Sequence, residues 1–116
     1  MRIIELGGKE IKMTGSPMTP FYYKKAFGQS FSGDLAALSE MANDLSQFDD
    51  INMLQMIWAM EVTTKCGKDM DPLEKWLGQF DSMDLSEIME DVVEEAMNAT
   101  FRNYKENKGE HPAGTG

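Results

Sequence analysis

The sequence predicts a mostly α-helical α+β domain, in which an N-terminal β-hairpin precedes a bundle of about five helices. Three observations predict it: a Gly-Gly turn between two short apolar runs, helical periodicity from residue 20 onward, and the apolar segment Ile51–Val62 (INMLQMIWAMEV). Nine of the twelve residues in that segment are apolar, so a helix there has no polar face wide enough for a surface position. Neighbouring amphipathic helices must therefore cover it.

The hairpin is predicted from the first residues of the chain. Two short runs, Ile3–Leu6 and Glu10–Met13, flank Gly7-Gly8-Lys9. Glycine supplies the positive φ that tight hairpin turns require, so residues 1–14 are expected to form a hairpin. Because an isolated hairpin is only marginally stable, we expect it to pack on the helices or to pair with another copy.

The first two helices are predicted from a capping signal and from apolar periodicity. Thr19 is expected to cap a short aromatic helix, Pro20–Phe27, and Gly28 is expected to close it. A second helix is expected at about residues 34–48. Its apolar positions recur with the helical period: Leu35, Leu38, Met41, Ala42, Leu45 and Phe48.

Three further helices are predicted after the acidic boundary at Asp49. The apolar helix is expected over about residues 50–65, with its end near Gly67. The segment Asp71–Glu74 (DPLE) has the pattern of a capping box and predicts a helix with Leu73, Trp76, Leu77 and Phe80 on one face. A second capping box, from Asp84 to Glu87, predicts a last helix that continues towards Tyr104.

Residues 1–105 are expected to form a single domain, with the hairpin at 1–14 and the helical bundle at 20–105. Residues 106–116 have no apolar periodicity and are expected to form a disordered tail. The N-terminal residues lack the apolar region of a signal peptide, and no apolar run approaches the length of a membrane span. A cytosolic location is therefore expected.

The net charge of −9 is unevenly distributed. Residues 1–33 carry five Lys/Arg and two Asp/Glu, whereas residues 34–101 carry three Lys and sixteen Asp/Glu. Binding to nucleic-acid phosphates or to anionic membranes requires a cationic patch, so the acidic body argues against both kinds of partner. It suits a protein that stays in solution by charge repulsion, or one with a basic protein partner.

No residues have the spacing of an active site or of a metal site. Cys66 is the single cysteine and His111 the single histidine, whereas nucleophilic catalysis needs a nucleophile, a base and an orienting group together. The acidic residues of the last helix have the spacing of a solvated face, without the Glu-x-x-His motif of a di-iron bundle. We therefore expect no enzymatic activity, no metal and no cofactor.

Five aromatic side chains are candidate anchors, either for packing or for an interface: Phe21, Tyr22, Trp58, Trp76 and Phe80. Core packing is the ordinary role of tryptophan at helical spacing, but aromatic residues and methionine are also enriched where partners dock. The eleven methionines have the same two possible roles. Because helix 51–65 is apolar on so many sides, we expect a subunit contact at Trp58.

Two segments of the chain are similar to a known family. They are Thr-Pro-Phe-Tyr-Tyr-Lys-Lys-Ala-Phe-Gly at 19–28 and Leu-Glu-Lys-Trp-Leu-Gly-Gln-Phe-Asp at 73–81, with the apolar helix around Leu54–Met60 between them. With this order of elements, roughly residues 1–105 resemble the tail assembly chaperones of long-tailed (siphovirus-type) phages and prophages of Gram-positive bacteria. The shared segments are patterns of packing residues and contain no catalytic signature.

The resemblance implies a non-enzymatic function in virion assembly. Proteins of this family bind the tape measure protein, a long helical molecule that sets tail length, and keep it soluble and extended while the tail tube polymerises around it. The resemblance further implies a homo-oligomer in the host bacterial cytoplasm that is absent from the mature virion. A longer, frameshifted form would recruit the tail tube protein, and this chain would match the shorter form.

The sequence leaves one alternative of another class, a small acidic regulatory or inhibitory protein. Such a DNA mimic would arrange its carboxylates regularly on a rigid face and bind a basic host protein, and its binding should weaken as salt rises. A chaperone should form larger or mixed assemblies and bind apolar helices even at high salt.

Overall fold

The computed structural model of the protein describes residues 1–41, 49–82 and 84–100. Within these residues the chain forms a two-stranded antiparallel hairpin and then five α-helices, which confirms the predicted mostly helical α+β class. The elements are β1 (Arg2–Leu6), β2 (Lys9–Met13), α1 (Met18–Phe27), α2 (Phe31–Met41), α3 (Asp50–Thr64), α4 (Leu73–Leu77), a 3₁₀ turn (Leu85–Glu87) and α5 (Met89–Thr100).

The hairpin packs on the helices through one face of its sheet. The register places Ile4 opposite Ile11, and Gly7 and Gly8 provide the positive φ of the turn, at 55° and 84°. A side chain at Gly7 would also lie 2.7 Å from the Cβ atom of Phe80, so the turn approaches the segment after α4 too closely for any other residue. The inward side chains are all buried: Ile4, Leu6, Ile11 and Met13.

Helix α3 lies at the centre of the molecule, as its composition predicts. It contacts β2, α1, α2 and α5. The described elements of a single chain therefore cover most of α3. Ile51, near its N-terminal end, is 51% exposed. The buried residues of this helix are Met53, Leu54, Met56, Ile57, Ala59, Met60 and Val62.

Both ends of α3 follow local signals. Asp49 caps the start, because its Oδ1 atom accepts the Asn52 N–H at 3.1 Å. At the other end the Gly67 N–H donates to the Val62 carbonyl at 2.9 Å and the Cys66 N–H donates to the Thr63 carbonyl at 3.1 Å. These two bonds form a Schellman motif, which places Cys66 in the left-handed region with a φ of 56°.

The predicted cap at Thr19 is wrong. Helix α1 begins at Met18, and Thr19 lies in its first turn, fully buried. The Thr19 hydroxyl donates to the Thr14 carbonyl at 3.0 Å and lies 2.8 Å from the Thr63 hydroxyl. Because it joins the loop after β2 to the end of α3, it is not available as a cap. Ser16 takes part of that role by accepting the Met18 N–H at 3.2 Å.

The two predicted capping boxes are also wrong. Helix α4 begins at Leu73 without a side-chain cap, and the Asp71 carboxylate lies 3.8 Å from Lys75 Nζ instead. Asp84 does cap, since it accepts the Ser86 N–H at 3.1 Å, but it caps the 3₁₀ turn. Helix α5 therefore begins only at Met89.

Helix α2 begins at Phe31, three residues before the expected start, because Ser30 Oγ accepts the Gly33 N–H at 3.2 Å at that point. Residues 42–48 of the second predicted helix, residues 101–105 of the last one and the predicted tail at 106–116 lie outside the described residues. The described strands and helices share one hydrophobic core.

Candidate interaction surface

Two of the five candidate anchors, Trp76 and Phe80, belong to the core. Their exposed fractions are 2% and 9%, and their rings pack edge to face with centroids 4.8 Å apart. The Trp76 Nε1–H donates to Glu61 Oε1 at 2.7 Å, and this hydrogen bond connects α4 to α3. Trp76 thus holds α4 on α3, and Phe80, three residues after α4, lies against the turn of the hairpin at Gly7.

Trp58 is half-buried and joins three parts of the fold. Its Nε1–H donates to the Asp71 carbonyl at 2.8 Å, and its ring packs edge to face against Phe27 with centroids 5.3 Å apart. The residue therefore connects α3, α1 and the loop before α4. A subunit contact at its accessible edge stays a prediction.

The remaining two anchors, Phe21 and Tyr22, lie on α1. Phe21 is 53% exposed, and Met18, one turn earlier, is 46% exposed. Lys25 Nζ lies 5.8 Å from the centroid of the Phe21 ring, within the range of a cation–π contact. We call the surface formed by Met18, Phe21 and Lys25 the α1 face. Tyr22 is half-buried beside it, and a side chain at Gly67 would lie 3.0 Å from the Tyr22 hydroxyl.

The α1 face is positively charged in an otherwise acidic protein. No Asp or Glu occurs between Glu10 and Asp34, whereas Lys24 and Lys25 follow each other on α1. Both lysines are exposed, and neither forms an ion pair within the part of the chain that the structure describes. Sequence reasoning selected Phe21 but missed Met18 and Lys25, although their spacing of three and four residues from Phe21 places all three on one side of a helix.

A network of hydrogen bonds holds the opposite side of α1 in the core. The Tyr23 hydroxyl donates to Asp34 Oδ2 at 2.6 Å and accepts from Asn52 Nδ2 at 2.8 Å. Asp34 also accepts from Gln29 Nε2 at 2.7 Å. The network connects α1, α2 and α3. Burial raises the pKa of Tyr23 well above 10, and the bond to the Asp34 carboxylate raises it further.

The outer side of α5 and its preceding turn carries the opposite charge. Asp91 and Glu94 pair with Arg2 Nη1 at 2.7 and 3.0 Å. Glu87 and Glu90 are exposed and form no ion pair with any described residue. We call the surface formed by Glu87 and Glu90 the carboxylate face.

Next to the carboxylate face lies a cleft of about 540 Å³, and Glu90 belongs to its lining. The described lining residues also include three apolar ones on α5, spaced four residues apart: Met89, Val93 and Met97. The carboxylates thus border an apolar depression, which gives this side of the molecule the same mixture of charge and apolar surface as the α1 face, with the charge reversed.

A buried carboxylate fixes the start of α1 against α5. Glu95 is 5% exposed, and its Oε2 atom accepts the Gly15 N–H at 2.8 Å and lies 3.8 Å from the Met1 ammonium. A side chain at Gly15 would collide with the backbone of Glu95, so only glycine permits this close approach. The position of the α1 face is therefore set by backbone contacts at one end and by the Tyr23 network on its inner side.

Within residues 1–41, 49–82 and 84–100 there is no group of three or more His, Cys, Asp and Glu placed to hold a metal ion. No helix of the described chain is long and apolar enough to cross a membrane. Cys66 is exposed.

No family model, curated protein or solved structure matches this chain. The α1 face and the carboxylate face are therefore the features from which a function can be argued.

Proposed function

We propose that this protein is a phage tail assembly chaperone that self-associates and binds the tape measure protein, keeping it soluble and extended while the tail tube polymerises. One observation carries the proposal: α1 exposes Phe21, within the chaperone-like segment 19–28, together with Met18 just before that segment. Large apolar side chains grouped on an exposed helix face are typical of surfaces that bind another protein. In this proposal the α1 face is the contact surface.

The chemistry of the α1 face suits a long helical partner. Methionine and phenylalanine adapt to partner helices whose apolar side chains differ from turn to turn. Lysines at the edge of the face keep it hydrated when no partner is bound, so that the chaperone itself does not aggregate. A longer, frameshifted form would use the same face and add a segment that recruits the tail tube protein.

The proposal is tested by co-expression with the tape measure protein encoded next to it. We expect the tape measure protein to be soluble and to co-purify with this chain in about 0.5 M salt, where attraction between surface charges is mostly screened. The control is expression of the tape measure protein alone, which should be insoluble. An insoluble tape measure protein beside abundant, folded partner would refute the proposal.

One observation favours the acidic inhibitor as the second candidate function. Glu87 and Glu90 are exposed carboxylates without ion pairs among the described residues, as a mimic of DNA phosphates requires. A complex with a basic DNA-binding protein should then disappear between about 0.1 and 0.5 M salt. It should also be lost in Glu87→Gln/Glu90→Gln and kept in Phe21→Ala. That pattern would replace the chaperone proposal.

A further inference from the structure

The chain carries two exposed surfaces that are complementary to each other. The α1 face combines the apolar side chains of Phe21 and Met18 with the exposed charge of Lys25. The carboxylate face borders an apolar cleft through Glu90, which belongs to the cleft lining. Both surfaces therefore offer apolar contact area and carry opposite charges, and complementary potentials of this kind specify how two molecules dock.

We propose that the α1 face of one copy of this chain docks on the carboxylate face of a second copy. Lys25 pairs with Glu90 of the second copy, and the Phe21 side chain enters the apolar cleft beside it. The inference rests on the self-association in the proposed function and names the surfaces that carry it. The occupant is a second copy because the charge of the α1 face is opposite to that of the exposed carboxylates on this same chain.

The two surfaces are different parts of the molecule, so the contact is heterologous. A docked pair still presents one free α1 face at one end and one free carboxylate face at the other. The tape measure protein and a further copy therefore compete for the free α1 face. A heterologous contact whose rotation does not close into a ring continues as an open chain. Self-association of this type has no fixed number of subunits, and its extent rises with protein concentration.

Two blocked variants test the contact by sedimentation velocity. Phe21→Glu removes the α1 face, and Glu87→Lys/Glu90→Lys removes the carboxylate face. We expect the unmodified protein to form oligomers that grow with concentration and each variant alone to remain monomeric. An equimolar mixture should form a 1:1 heterodimer and nothing larger, because it contains one intact α1 face and one intact carboxylate face per pair.

Matched variants control for general charge effects and for folding. Lys9→Glu and Glu10→Lys reverse exposed charges in the hairpin, and both should associate like the unmodified protein. Circular dichroism and the melting temperature should be the same for all variants. Lys25→Glu should weaken association about tenfold, and Lys25→Glu/Glu90→Lys in one chain should restore it, since the attractive pair is re-formed with reversed signs.

Any of three results would overturn the docking. The first is an unmodified protein that is monomeric at about 1 mM, a concentration at which a contact worth only about 4 kcal/mol is half-formed. The second is normal association of the blocked variants, and the third is a mixture that stays monomeric although the unmodified protein associates. All three are measured on the protein alone. A monomer that still co-purifies with the tape measure protein would refute this contact and leave the proposed binding of the tape measure protein intact. Self-association without tape measure binding would refute the chaperone proposal alone.

Discussion

The α1 segment and the segment that follows Pro72 are both rich in aromatic residues, yet their side chains have opposite environments. Trp76 and Phe80 are buried and pack against each other, and Phe80 also lies against the hairpin turn. Phe21 is more than half exposed, with a lysine above its ring. The difference shows that one aromatic pattern serves the fold and that the other is available to a second molecule.

The largest effect is expected where the aromatic residue is buried. Trp76→Ala should lower the free energy of unfolding by about 3–5 kcal/mol, because it leaves a cavity beside Phe80. It also removes the hydrogen bond to Glu61. Denaturant unfolding measures this loss, and Trp76→Phe, which keeps an aromatic ring, should lose clearly less. A loss of less than about 1 kcal/mol for Trp76→Ala would show that the segment is not an anchor of the core.

Tyr23 sharpens the contrast within α1 itself, since it lies on the inner side of the helix. Tyr23→Phe should cost about 1–2 kcal/mol because Asp34 loses a donor and Asn52 loses an acceptor. The pKa of Tyr23 is higher in the folded than in the unfolded state. The unfolded chain therefore releases this proton first, and stability should decrease as pH rises above about 10.

Chemical unfolding at a series of alkaline pH values measures this dependence. In Tyr23→Phe the part of the decrease that comes from this residue should be absent. If the free energy of unfolding decreases equally steeply above about pH 10 in the unmodified protein and in Tyr23→Phe, the assigned role of Tyr23 is contradicted. Tyr22→Phe is the matched control, because Tyr22 is half-buried beside Gly67. This variant should show the same decrease as the unmodified protein.

A substitution at Cys66, at the C-terminal end of α3, should stabilise the protein by a smaller amount. Its φ of 56° is the left-handed conformation that glycine adopts without a steric penalty. Cys66→Gly should therefore raise the free energy of unfolding by about 1 kcal/mol. Part of this gain is offset because glycine increases the conformational entropy of the unfolded chain. Cys66→Ala, which retains a Cβ atom, serves as the control and should not stabilise. Equal stability of the two variants would contradict the strain.

The sequence predicted the elements whose signals are local. The Gly-Gly turn, the acidic boundary at Asp49 and the apolar segment of α3 depend on residues close together in the chain, and each was placed correctly. The caps at Thr19 and Asp71 failed because other contacts use their side-chain oxygens. The Thr19 hydroxyl donates to the Thr14 carbonyl and lies 2.8 Å from the Thr63 hydroxyl, and the Asp71 carboxylate lies 3.8 Å from Lys75 Nζ.

The candidate surface could be predicted only in part. Periodicity shows which residues share a helix face, but it does not show what covers that face. Trp58 and Phe21 were both candidates for an interface on their residue types alone. The structure shows that Phe27 packs on Trp58 and that Phe21 remains exposed. This distinction depends on how α1 lies against α3, which is set by the Tyr23 network and by the close approach of Gly15 to Glu95.

The smallest effect on stability and the most informative effect on function are both expected at Phe21. Phe21→Ala should change the free energy of unfolding by less than about 0.5 kcal/mol, because the side chain is exposed. The decisive measurement is co-purification of the tape measure protein with Phe21→Ala, with Ile51→Ala, another exposed apolar residue, as the control. The account predicts that the folded Phe21→Ala protein loses the tape measure protein while Ile51→Ala retains it. Equal retention by both variants would contradict the assignment of the α1 face as the surface that binds the partner.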